Sequence, residues 1–151
     1  MSERQNFDHK DTLFHVVNQL SRRLASGWRD ALAPFDLHPA QYTALAEIAA
    51  REGLTQAELV LRLDLEQPGV ARTLGGLAAD GWIERSTLGK GRAQGLYLSE
   101  KARAVLDDAH RAVARADRAV LVELGRSEAS HLLDSLGQLA APAATTRRGA
   151  D

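Results

Sequence analysis

Cysteine is absent from the 151 residues. That single absence excludes disulfides, thiolate nucleophiles, cysteine-bound zinc and thiol-based redox sensing. Aromatic residues are scarce, at 5%, so Leu, Ala and Val have to fill whatever core exists. No apolar run approaches the roughly 18 residues that a membrane-spanning helix needs. The N-terminal MSERQNFDHKD is charged and carries no apolar core of a signal peptide. A cytoplasmic protein without membrane association is the expectation. A surplus of either charge is missing too: the net charge is −1. Any polyanion therefore has to be met by cations placed locally rather than by overall charge. Catalytic signatures are also lacking. His9, His15, His38, His110 and His131 show no metal-ligand spacing such as H-E-x-x-H, and Gly89-Lys90-Gly91-Arg92 lacks the frame of a phosphate-binding loop. No Gly-x-Ser-x-Gly nucleophile elbow occurs. No catalytic residue, metal or cofactor is expected.

What is present is helical punctuation. The length suits one domain, or a small domain with an added dimerisation element, and 44% apolar content is enough for a core. Between Asp8 and Ala33, apolar side chains recur at helical spacing: Leu13, Val16, Val17, Leu20, Leu24, Trp28 and Leu32. Pro34 ends that helix, and Pro39 suits the first turn of the next, which Gly53 closes. Thr55-Gln56-Ala57-Glu58 is a capping box that starts a short helix to about Leu63. A turn at Asp64-Leu65-Glu66 leads to a helix from Gln67 to Asp80, with Pro68 in its first turn and Gly81 as its stop. Trp82 to Arg85 and Gly95 to Leu98 read as two paired strands. The tip between them holds two glycines and is expected to be exposed and mobile. Ser99 caps a long helix to about Leu124. Gly125 breaks it, and Ser127 caps a last helix to about Leu139. The tail 141–151 is small and polar and is expected to fray. The fold class that follows is mainly α with a small β-hairpin (α+β): a winged helix-turn-helix plus a helical dimerisation region. The domain division is 36–99 for the winged helix and 8–35 with 100–140 for the dimerisation region.

The central unit is built to meet DNA. On the helix from Gln67, Val70, Leu74 and Leu77 form one buried stripe. The opposite face then presents Pro68, Gly69, Arg72, Thr73 and Gly76, a narrow face of mostly small residues that lets backbone approach a major groove. Arg72 can grip a guanine edge or a phosphate, and Gln67 can reach an adenine edge or a phosphate. Thr55 and Gln56 start the preceding helix, whose N-terminal N–H groups favour a phosphate. Lys90 and Arg92 at the hairpin tip are placed for a neighbouring minor groove or backbone. Residues 55–99 hold five Lys/Arg and five Asp/Glu. That balance also leaves room for a winged-helix protein-interaction module without sequence-specific DNA binding. Salt dependence separates the two readings, since binding through phosphates weakens steeply with added salt.

Three segments carry a family resemblance: Leu54-Thr55-Gln56-Ala57-Glu58-Leu59, Leu74-Gly75-Gly76-Leu77-Ala78-Ala79-Asp80-Gly81-Trp82-Ile83-Glu84-Arg85, and Leu96-Tyr97-Leu98-Ser99-Glu100-Lys101-Ala102. In these, and in helix order from about residue 8 to 140, the chain resembles the MarR family of bacterial transcriptional regulators. The resemblance implies a homodimer on palindromic double-stranded DNA. It implies Gln67–Asp80 as recognition helix, residues 83–98 as wing, and the first and last two helices as dimer interface. Repression is the commoner outcome in that family. Two positions depart from the pattern. Lys90 stands where the family's wing carries Asp, two residues before Arg92, and Gly75-Gly76 replaces a charged pair. Both departures imply fewer base contacts and more dependence on DNA shape.

Burial points to a dimer as well. Leu13, Val17, Leu20, Val120, Leu121, Leu132, Leu133, Leu136 and Leu139 exceed what a 45-residue winged helix can cover, so a partner copy is expected. The resemblance further implies a small aromatic or anionic effector between the dimer helices and the winged helix, for which His15, Trp28 and Tyr42 are the candidate residues. The absence of cysteine removes the peroxide-sensing mode that uses that residue.

Overall fold

A computed structural model describes residues 12–87, 89, 93–122 and 124–141. The order of elements is α1 (Leu13–Leu32), a 3-10 turn (Ala33–Phe35), α2 (Pro39–Ala50), α3 (Gln56–Leu63), α4 (Gln67–Ala79), β1 (Ile83–Thr87), β2 (Gln94–Leu98), α5 (Glu100–Leu121) and α6 (Arg126–Ala140). This is the expected mainly-α chain with one hairpin. It forms two compact units, one running to Asp117 and the other beginning at Arg118. Among the described residues no helix is long and apolar enough to cross a membrane.

In the first unit, local chemistry sets each boundary. Thr12 caps α1, its hydroxyl oxygen accepting from the His15 N–H; the earlier start expected at Asp8 lies outside the described residues. Pro34 diverts the chain into the 3-10 turn, which closes on Asp36 in the left-handed region (φ 55). Pro39 opens α2, where its missing N–H costs nothing. Gln41 Oε1 accepts from the His38 N–H at 2.9 Å and completes that start.

The core gathers around α2. Tyr42, Ala44, Leu45 and Ile48 are buried against Leu32 and Leu37, Leu59 of α3, and Val70, Leu74 and Leu77 of α4. Ile83, Leu96 and Leu98 of the hairpin and Ala102, Ala109 and Val113 of α5 close it. The stripe predicted on α4 is thus the buried one. Each fully buried Leu contributes about 1.5–3 kcal/mol, so these contacts, rather than helix propensity, hold α4 in place.

β1 and β2 pair antiparallel, from Ile83 opposite Leu98 to Thr87 opposite Gln94. The strands differ from the expected Trp82–Arg85 and Gly95–Leu98. Trp82 does not begin a strand because its N–H is used to end α4, donating to Leu77 O at 2.8 Å. The Gly81 N–H donates to Ala78 O, and Gly81 sits at φ +72. This is a Schellman stop, with Gly81 in the one position that requires a left-handed residue.

In the second unit, α5 ends at Leu121, before the expected Leu124. The N-cap of α6 is Gly125, not Ser127. Glu128 decides this: its Oε2 accepts from the Gly125 N–H at 2.9 Å, so the helix starts two residues earlier than a Ser cap would place it. No residue of α6 is buried.

Candidate nucleic-acid interface

Helices α3 and α4 form a helix-turn-helix whose start is rigid. The Thr55 hydroxyl accepts from the Glu58 N–H at 3.2 Å and donates to Glu58 Oε2 at 3.0 Å. The Thr55 N–H donates to the same oxygen at 2.7 Å. These bonds, the backbone N–H first and the hydroxyl second, hold the Glu58 carboxyl below the usual range. Arg51, at 3.4 Å from Glu58 Oε1, adds to this. Thr55 therefore spends its hydroxyl proton inside the molecule; what it offers outward is a fixed helix start. Gln56 beside it is half-buried. The turn passes through Asp64 in the left-handed region (φ 50). Arg62 Nε bonds Glu47 Oε2 at 2.6 Å and ties α3 to α2.

The outer face of α4 presents Gln67, Pro68, Gly69 and Arg72 exposed, with Thr73 and Gly76 half-buried beside them. Arg51, Arg62, Arg103 and Arg111 each pair with a carboxylate, whereas Arg72 joins none of those pairs. Gly69 and Gly75 have open space where a Cβ would stand, and Gly76 has only the end of Gln41 at 3.9 Å. A helical Gly costs about 1 kcal/mol relative to Ala. Among the described residues nothing accounts for that cost at Gly69 or Gly75.

The hairpin is fastened to the helix-turn-helix rather than hanging free. Gly53 N–H donates to Leu96 O at 2.8 Å and Leu96 N–H to Leu54 O at 2.9 Å, and Thr55 bridges to Gly95. Gly53 sits at φ +83, and a Cβ there would meet the Tyr97 hydroxyl at 3.0 Å. Glu52 Oε1 accepts from the Leu98 N–H at 3.0 Å and from Arg103 Nη2 at 2.5 Å. Arg103 first, and the Leu98 N–H second, keep that carboxyl below the usual glutamate range. The tip residues Lys90 and Arg92, expected to touch DNA, lie outside the described residues.

Away from α4, the structure brings two of the three candidate effector residues together. Trp28 and Tyr42 meet edge to face, their ring centroids 5.6 Å apart. The Trp28 indole N–H donates to Asp117 Oδ1 at 2.7 Å. The buried Tyr42 hydroxyl shares a hydrogen bond of 2.7 Å with His110 Nδ1. Burial, and after it the charge of Asp117, pushes the Tyr42 hydroxyl above its ordinary pKa. His15 lies thirteen positions earlier on α1, about 20 Å along the helix, and bonds Gln19 instead. Beside the cluster an open groove of about 540 Å³ is lined by Asp30, Ala31, Pro34, Phe35, Ala112, Arg115 and Ala116. Sequence reasoning missed His110 and Asp117. Their partners lie 68 and 89 residues away, and no local pattern marks such pairs.

Comparison with known proteins agrees with this geometry. A model of the MarR family matches residues 35–93, from the 3-10 turn to the end of the hairpin tip. YwoH of Bacillus subtilis (strain 168), described as an uncharacterized HTH-type transcriptional regulator, is 34% identical over 73 residues, 48% of this chain and 53% of that protein. The multiple antibiotic resistance protein MarR of Escherichia coli (strain K12) is 34% identical over 73 residues, 48% and 49% of the respective chains. The chain thus spans about half the length of the curated relatives it matches. The transcriptional repressor CouR, solved bound to a 23-mer DNA duplex, superposes with a TM-score of 0.81 at 28% identity, over 87% of this chain and 94% of that one. CouR is also solved bound to p-coumaroyl-CoA, with a TM-score of 0.79 at 28% identity and the same coverage. Sequence likeness to the MarR family is concentrated in the helix-turn-helix and hairpin, over residues 35–93, while structural likeness to CouR runs nearly the length of the chain.

Proposed function

We propose that the protein is a ligand-responsive transcriptional repressor that binds a palindromic operator as a homodimer. One observation carries the reading: on a firmly packed α4, the outer face is narrow and carries one exposed long cation, Arg72, which joins none of the ion pairs among the described residues. Gln67, Pro68, Gly69 and Thr73 share that face. Lys90 and Arg92 of the wing, with Gln56 and the α3 start at Thr55, are assigned to the DNA backbone. CouR, of the same fold, has been captured on DNA.

The dimer assignment rests on exposed apolar side chains. Leu13 is 65% exposed, Leu133 58% and Leu139 70%. Val17 is exposed as well, and Leu20, Val120, Leu121, Leu132 and Leu136 are half-buried. In a two-fold dimer, residues 8–35 and 100–140 supply the interface and residues 36–99 the DNA-binding domain. The two recognition helices then read half-sites about 34 Å apart. The effector is assigned to the region of Trp28 and Tyr42 and the groove beside them, where Phe35 offers an apolar ring face and Arg115 a cation. A small aromatic acid suits that pair. Bound there, it shifts the population between DNA-competent and incompetent arrangements. CouR has also been captured bound to p-coumaroyl-CoA. His15 stays a candidate only if the partner copy brings it to the site.

The test is duplex binding by gel shift and anisotropy across a salt series, with the upstream region of the protein's own gene as probe. Affinity is expected to fall steeply with salt. Arg72→Ala is expected to cost about 1–3 kcal/mol and to relax sequence preference. Salt-independent binding that Arg72→Ala leaves unchanged would favour the protein-interaction module instead. An aromatic acid added to the same assay is expected to release the DNA.

A further inference from the structure

The end of α4 nearest the hairpin is held from outside the helix-turn-helix. The Schellman stop uses the carbonyls of Leu77 and Ala78, but not that of Asp80, which ends the helix. The Asp80 carbonyl belongs to the negative end of the helix dipole. Lys101, in the first turn of α5, donates to it from Nζ at 3.0 Å. The same ammonium lies 4.0 Å from the centroid of the Trp82 ring. Trp82 is the residue whose N–H closes α4, and its ring is buried. One cation thus grips both the carbonyl of Asp80, the residue that caps α4, and the residue whose N–H terminates it.

The base from which Lys101 reaches is itself fixed. Ser99 N–H donates to Trp82 O at 3.0 Å, and the Ser99 hydroxyl accepts from the Ala102 N–H at 3.2 Å. Ala102 is buried, and Arg103 is bonded to Glu52. The first turn of α5 is therefore a post with little freedom. A long side chain on such a post sets position, not merely charge.

We propose that Lys101 is a positioning residue for DNA reading. It holds the C-terminal end of α4 so that Arg72 and Gln67 meet the bases in register, without touching DNA itself. The inference rests on the DNA-binding reading above. Readout by so few side chains tolerates little misplacement. Loosening one end of the helix therefore lowers discrimination between sequences more than it lowers attraction to phosphate.

The experiment compares wild type, Lys101→Met and Lys101→Arg on two duplexes of equal length: one selected from a random pool by the wild-type protein, and one unrelated. Affinities are measured across a salt series, and thermal melts accompany each variant. Lys101→Met is expected to reduce the ratio of specific to non-specific affinity about fivefold, roughly 1 kcal/mol, with the salt slope unchanged. Lys101→Arg is expected to restore the ratio, because it keeps the donor and the cation over the ring. Hydrogen exchange at the amides of residues 77–82, the end of α4 and its stop, is expected to speed up in Lys101→Met alone. A loss equal on both duplexes, with the salt slope reduced by about one, would make Lys101 a phosphate contact and overturn the proposal. A lowered melting temperature with unchanged ratio would make it merely structural and also overturn it. If the wild type selects no sequence from the pool, it is the DNA-binding reading that fails; the exchange rates then still decide whether Lys101 holds α4.

Discussion

Gly69 and Gly75 show how much a single residue can reveal when nothing surrounds it. Among the described residues neither has a neighbour within 4 Å of the place where a Cβ would stand, so each weakens α4 without relieving any crowding there. Replacing Gly75 with Ala is expected to stabilise the protein by about 1 kcal/mol, raising the melting temperature by roughly 2–4 °C in a calorimetric scan. Gly69→Ala is expected to stabilise it equally but to weaken operator binding. Its new methyl group stands between Arg72 and Thr73 in angle around the helix, on the face assigned to DNA. A Gly69→Ala protein that binds DNA as wild type does would remove the close-approach role from that face. These positions were legible in the sequence, because 3.6-residue spacing alone separates Val70, Leu74 and Leu77 from Gly69 and Arg72. The partners of Lys101, Trp28 and Tyr42 were not. Each side chain bonds across 21 to 89 positions of chain, and such contacts follow from packing rather than from periodicity.

Elements were readable wherever their ends carry their own chemistry. Pro39, the Thr55–Glu58 box and Gly81 mark the ends of α2, α3 and α4 to within a residue, since each signal acts over one turn. The junction of α5 and α6 was misread because two caps compete there, and Glu128 reaching back to Gly125 prevails over Ser127. Between elements, Glu52 is the joint that matters most, binding the turn after α2 to both β2 and α5. Its carboxyl, held below the usual range by Arg103 and then by the Leu98 N–H, titrates lower in the folded chain than in the unfolded one. The stabilisation is therefore fully present above the ordinary glutamate range and is lost as pH falls through the lowered folded value. Glu58 acts in the same direction. Glu52→Gln keeps an acceptor for Leu98 but loses the charge facing Arg103. It is expected to lower the melting temperature by about 1–3 °C at pH 7. The difference from wild type is expected to shrink as pH falls below the ordinary glutamate range, and to be lost once the pH passes below the lowered folded value. A difference that persists unchanged into acid would show that Glu52 acts through shape, not charge.

For the molecule as a whole, the open question is what covers its apolar side chains. Leu13 and Val17 on α1 and Leu133 and Leu139 on α6 stand in water in the single chain. Sedimentation velocity is expected to show a dimer at micromolar concentration. Leu13→Asp combined with Leu133→Asp is expected to shift it to monomer and to weaken operator binding at least tenfold, because a single half-site loses the benefit of the tethered second one. A wild-type protein that sediments as a monomer and still binds a palindrome tightly would contradict this assembly.

The fastening of the hairpin has a consequence for how such a protein diversifies. Its base shares backbone bonds with Gly53 and Leu54, and Thr55 both bridges to β2 and caps α3. The hairpin's angle is thus inherited from the helix-turn-helix, like a lever on a fixed pivot. Lengthening or shortening its strands by paired residues changes reach along the groove while leaving aim untouched. Under the proposed DNA-binding reading, the reach of the hairpin and the base preference of α4 are then separately adjustable, so that a lineage can retune either without first undoing the other.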